Sequence, residues 1–184
     1  MFTTQYVNHK LGLPNVTIQA AVDAIHAQGG LFSINHLDMY ERGVDLRNIC
    51  VGCSYELWGV LPMSQVDAME IAIQRWQGAG VIFSPEAIER WDHLHAMGFT
   101  HITPIGGSDD HHGGQNESKV GPWVLGSSIG SPTTCVLANN LSHNALLEGI
   151  REGRTVVKME NAHDPDLDLV AVVEESEGEE VRVG

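Results

Sequence analysis

The residues best equipped for chemistry lie in the stretch Gly107-Ser108-Asp109-Asp110-His111-His112. The apolar run before it, residues 100–105, reads as a strand, and the pair Gly113-Gly114 behind it reads as a loop. In an extended segment residues i and i+2 point to the same side, so Asp109 and His111 are expected to project together from the strand's C-terminal end. A carboxylate oxygen and an imidazole nitrogen meeting there suit Zn²⁺, Mn²⁺ or Fe²⁺. The flanking glycines let the backbone turn tightly and keep the mouth of such a site open. The same residues also read as a polar turn with two surface histidines, and the triplet Asp-x-His alone does not separate the two readings.

A second unit has similar grammar. Residues 29–36, Gly-Gly-Leu-Phe-Ser-Ile-Asn-His, follow a helix with a glycine stop and a strand that ends in His36. Ligand-type residues at two strand C-termini are what a parallel α/β sheet or barrel needs to build a site, because the loops on that face converge.

The elements that must position these residues are mostly plain. Residues 16–28 read as a helix, with Thr17 as N-cap and Ile18, Ala21, Val22 and Ile25 as the buried stripe. His26 lies beside that stripe and reads as solvated or packed. Residues 66–73 alternate as a strand carrying Glu70, which needs a partner if buried and otherwise marks an edge position facing water. Residues 84–98 read as a helix with Ser84 as cap, Pro85 at its first position and Gly98 as stop. His93 and His95 diverge on that helix and cannot chelate one ion. Residues 113–130, rich in glycine and serine, read as a lid or a connector. Strands follow at 132–138 and 154–159, around a helix over 144–152 capped by Ser142 with Ala145, Leu146, Gly149 and Ile150 inward. Residues 37–65 are hard to read. Tyr40, Tyr55 and Trp58 there line either a pocket or the core. Alternating strands and helices of this kind predict a parallel α/β architecture.

Composition narrows the functional classes. A chain of 184 residues with 42% hydrophobic content can bury one substantial core. Its formal charge of −14 argues against a nucleic-acid or anionic-membrane surface. That charge is uneven: residues 160–184 hold nine acids against Arg182, a net −8, which leaves −6 for the rest. No apolar run spans a bilayer, and residues 1–5 lack the start of a signal peptide, so a cytoplasmic location is expected. Cys50, Cys53 and Cys135 read as structural thiols; Cys50-x-x-Cys53 has no second pair with which to hold zinc.

The Gly-Ser-Asp-x-His signature at 107–111, the segment at 29–36, and residues 130–134 with Gly153-Arg154-Thr155 together resemble the PHP (polymerase and histidinol phosphatase) metallohydrolases. Within them the chain is similar to the carbaryl-hydrolase-related, CehA/McbA-like branch. The resemblance covers roughly residues 7–160, and residues 161–184 then form an acidic extension or linker. It implies a divalent metal (Zn, Mn or Fe) held by His9, His36, Asp109 and His111, with His9 in an H-x-x-G loop. It also places Glu70 on a strand where the family carries a glutamate. The expected activity is that of a metal-dependent hydrolase in which activated water attacks a small phosphoester, carboxyl ester or carbamate. Asp109 is expected to be both ligand and proton acceptor, and His112, outside the ligand set, either a general acid or a group that supports the ligands. The family's N-terminal H-x-H is lacking here, so the expected fold is a partial (distorted, seven-stranded-type) β/α barrel without its N-terminal strands, with ligands for one metal. A metal-binding or scaffolding remnant without catalysis remains the rival expectation.

Overall fold

In the computed structural model the described residues are 3–8, 16–35, 63–110, 113, 118–120, 123–125 and 127–166. They form a mixed α/β structure around a parallel sheet of three strands, ordered β1-β2-β3: Ser33–Ile34, Ala68–Ile73 and Thr103–Gly107. All three strands run the same way, with Ile34 opposite Met69 and Met69 opposite Pro104, so their C-terminal ends share one edge. Among the described residues this sheet is open and does not close into a barrel.

One face of the sheet is covered by two helices. The first, α1 (Ile18–His26), starts where Thr17 accepts the Ala20 N–H on its side chain at 3.1 Å, and it stops before Gly29 at φ 71°. Its Val22 meets Ile34, Val66, Met69, Leu94 and Ile102 in one apolar cluster. The second, α2 (Val81–Ala96), supplies Leu94 and the half-buried Trp91, whose indole N–H donates to the Ile102 carbonyl at 2.7 Å.

The start of α2 differs from the expectation. A kinked turn at Trp76–Gly80, non-helical at Gly78 (φ −102°, ψ −131°), leads directly into Val81, three residues before Ser84. Ser84 is therefore no cap. Fully buried, it accepts the Ile73 N–H on its hydroxyl at 3.2 Å and ties α2 to the end of β2. Pro85 lies inside the helix, where its ring φ fits but its missing N–H forfeits one helical bond.

The opposite face is joined to a second unit, β6 (Thr133–Val136), α3 (His143–Arg151) and β7 (Thr155–Lys158), in which β6 and β7 pair antiparallel. Ser142 caps α3 by accepting the Ala145 N–H at 3.2 Å. The helix buries Leu147, where Leu146 was expected, with Ala145, Gly149 and Ile150. Leu147 and Ile150 pack on Leu31. Thr103 donates its buried hydroxyl to the Ile150 carbonyl at 2.5 Å. Along the outer side of β3, Thr134 Oγ1 accepts the Gly106 N–H at 2.8 Å and donates to the Gly106 carbonyl, while Thr155 donates to the Pro104 carbonyl at 2.9 Å. Pro104 is tolerated because its backbone polar groups face that side and not β2.

The region expected to be a lid or connector holds a short antiparallel hairpin, β4 (Ser118–Val120) and β5 (Trp123–Leu125), and β5 lies beside the kinked turn. No described helix is long and apolar enough to cross a membrane. Cys50, Cys53, Tyr40, Tyr55, Trp58 and, of the expected acidic extension, residues 167–184 lie outside the described residues.

Candidate functional site at the strand ends

The chemistry-bearing side chains gather where the parallel strands end. Strand β3 continues through Ile105, Gly106 and Gly107, two residues past its expected end, because side chains there would collide with their neighbours. A Cβ on Gly106 would lie 3.0–3.2 Å from Val157, Pro132 and Ala72, and one on Gly107 would lie 2.5 Å from Glu70 Oε1. Glycine inside a strand here marks close approach.

Glu70 itself is 3% exposed on the central strand, so the edge position facing water is ruled out. It lies on the same face as Thr103, with its carboxylate reaching up against Gly107. A carboxyl group so placed is costly to desolvate and depends on polar company at the strand ends.

Beyond the strands the chain twice enters the left-handed region at residues other than glycine, at Gln74 (φ 58°) and Asp109 (φ 51°). Such conformations cost roughly 1–2 kcal/mol for a residue like glutamine and tend to cluster at functional sites. The two residues are coupled. The Gln74 N–H donates to the Gly107 carbonyl at 2.9 Å, and its side-chain amide reaches Asp109 Oδ2 at 3.4 Å, a long hydrogen bond. Ser127, 4% exposed, braces the same turn: its hydroxyl accepts the Arg75 N–H at 3.2 Å and donates to the Ser108 carbonyl at 3.0 Å.

Of the sequence candidates, Asp109 stands at this edge, half-buried. His9, His36, His111 and His112 lie outside the described residues. The expectation that alternation carries from Asp109 to His111 does not hold as argued. The strand ends at Gly107 and Asp109 is left-handed, so the i, i+2 rule of an extended segment does not apply across it. Among the described residues no group of three or more His, Cys, Asp or Glu could hold a metal ion.

Several other histidines have structural partners. His26 Nε2 lies 2.8 Å from Asp67 Oδ2, which also accepts the Phe32 N–H at 2.6 Å and so links α1 to the start of β1. His95 Nε2 lies 3.1 Å from the Ile102 carbonyl, and its ring packs on Trp91 with centroids 4.2 Å apart. His93 is exposed.

Sequence reasoning missed Gln74 and Ser127. Gln74 left a faint signal, a polar residue directly after the apolar run of β2. Ser127 left none, since one more serine in a serine-rich segment carries no information. The chain matches no protein-family model, no curated protein and no solved structure.

Proposed function

We propose that the chain is a metal-dependent hydrolase similar to the PHP metallohydrolases of the carbaryl-hydrolase-related branch, its parallel sheet being part of an incomplete β/α barrel. The observation that carries this reading is the common edge at which β1, β2 and β3 end. There Asp109 follows β3, the buried Glu70 carboxylate rises from β2, and β1 leads through Asn35 towards His36.

The donor chemistry fits a divalent first-row cation in part. Asp109 offers a hard oxygen, and its company of buried polar groups suits a charged centre, while the imidazoles of His9, His36 and His111 would have to complete the set. When bound, such a cation supplies a water acidified towards neutrality and a Lewis acid for the substrate oxygen. Through its amide on Asp109 Oδ2, Gln74 would help to orient that carboxylate for the cation. Ser127 holds the turn that carries both. Asp109 takes up a proton from the attacking water and His112 returns one to the leaving oxygen. Small phosphoesters, carboxyl esters and carbamates are the substrate classes.

The test is metal analysis of the purified chain alongside a panel of aryl phosphates, carboxyl esters and carbamates. Bound metal with turnover that His111→Ala and Asp109→Asn both abolish is the expected result. Bound metal without turnover marks a non-catalytic remnant, and a chain that takes up no Zn²⁺, Mn²⁺ or Fe²⁺ ends the proposal.

A further inference from the structure

The β6–β7 pair has two unlike faces. Its inner face carries Thr134, Val136, Thr155 and Val157, which meet β3 and α3. On its outer face Cys135 stands opposite Val156, and the Leu137 N–H extends the ladder by donating to the Arg154 carbonyl at 2.9 Å. Val156 is 53% and Leu137 69% exposed, an apolar surface on a sheet of only two strands.

Lys158 is on that same outer side, two residues beyond Val156, and there the chain folds back. The Lys158 ammonium donates to the carbonyls of Ala162 and Asp164 at 3.1 and 2.9 Å and to Asp166 Oδ1 at 2.7 Å. Asp164 in turn accepts the N–H groups of Glu160 and Asn161. The Asp166 carboxylate therefore lies at the Lys158 end of this strand pair, on the side towards which Lys158 and Val156 both point. The eighteen residues that follow begin with Leu167-Asp168-Leu169-Val170-Ala171-Val172-Val173. Leu167, Leu169, Ala171 and Val173 share one side of an extended segment.

We infer that residues 167–173 dock on the outer face of β6 and β7 and cover Cys135, Leu137 and Val156, with the Lys158–Asp166 pair as the hinge pin. The occupant is this segment of the chain itself because it starts where the exposed face starts, with the pattern that face needs. A second copy of the chain would have no such tether.

The Cys135 thiol is the reporter. Maleimide labelling of the full-length protein, read at Cys135 by peptide mass spectrometry, is compared with Leu167→Asp/Leu169→Asp and with Lys158→Gln. Docking predicts that the double variant labels about tenfold faster or more, with a smaller rise for Lys158→Gln, while circular dichroism stays unchanged. If the double variant proves unfolded, the single variant Leu169→Ser decides with Lys158→Gln by the same labelling: a Cys135 rate above that of the unaltered protein, at every protein concentration, supports docking. Equal labelling rates in all the proteins compared, or slow Cys135 labelling that appears only as protein concentration and hydrodynamic mass rise together, would overturn it, the latter by assigning the face to a second copy.

Discussion

The two faces of the parallel sheet are held by different forces. Towards α1 and α2 the contact is Val22, Ile34, Met69, Leu94 and Ile102, all nearly inaccessible, and its strength is area removed from water. The other face, together with the outer edge of β3, relies on hydroxyls: Thr103 donates to the Ile150 carbonyl of α3, Thr134 and Thr155 of β6 and β7 bond the backbone groups at the edge, and the face includes one buried carboxylate, Glu70. Non-directional packing tolerates small shifts, whereas hydrogen bonds fix position. The difference teaches that the second face is the one suited to holding groups at set distances, and the strand-end residues Asp109 and Glu70 are carried by elements that this face locates.

The largest effect expected is on the apolar side. Met69→Ala should cost about 2–5 kcal/mol in urea unfolding, since it removes a fully buried side chain from a packed cluster. Thr103→Val keeps the shape but removes one of two donors to the Ile150 carbonyl, which keeps the Gly153 N–H at 3.1 Å, an expected loss of about 0.5–1.5 kcal/mol. A cost for Thr103→Val equal to that of Met69→Ala, or no cost at all, would erase the contrast between the faces. Gln74→Gly sharpens it at the site. Relief of the left-handed strain offsets the flexibility glycine adds, so stability should stay within about 1 kcal/mol. On the proposed metallohydrolase reading, metal affinity, measured by competition with a chelating dye, should nevertheless fall by about 10-fold or more as Asp109 loses its orienting amide.

The smallest effect concerns pH. Hydrogen bonding to the Asp166 carboxylate raises the Lys158 pKa above its ordinary 10.5, against the opposing pull of desolvation. A cation favoured in the folded state stabilises it fully below the ordinary value, and that contribution disappears as pH rises through the raised one. The chemical shifts of carbon-bound protons in residues 161–166 should therefore stay those of the folded turns up to the ordinary value of 10.5 and change only above it, and Lys158→Met should abolish that alkaline step.

Where local chemistry and periodicity agree, the chain is legible. Both Thr17 and Ser142 announce their helices because a cap needs only neighbours three residues away. Ser84 misleads for the opposite reason: Ser-Pro looks like a helix start, but its hydroxyl is claimed by the end of β2 and the helix begins earlier. Gly106 and Gly107 look like a loop because crowding by Glu70, Val157 and Pro132 cannot be read along the chain. The three-residue strands at 118–120 and 123–125 are too short to rise above a glycine and serine background. At the site, Asp109 was identifiable by type, whereas its left-handed backbone and its tie to Gln74 arise only in three dimensions.

The threonines along β3 carry a consequence for handling the protein. Gly106 and Pro104 would otherwise present a bare row of hydrogen-bonding groups, and two hydroxyl groups stand in for the missing neighbouring strand. Should heat or mutation lift β6, α3 and β7 away, that row becomes a template for other chains, and fibre growth would be seeded there before the apolar core had opened.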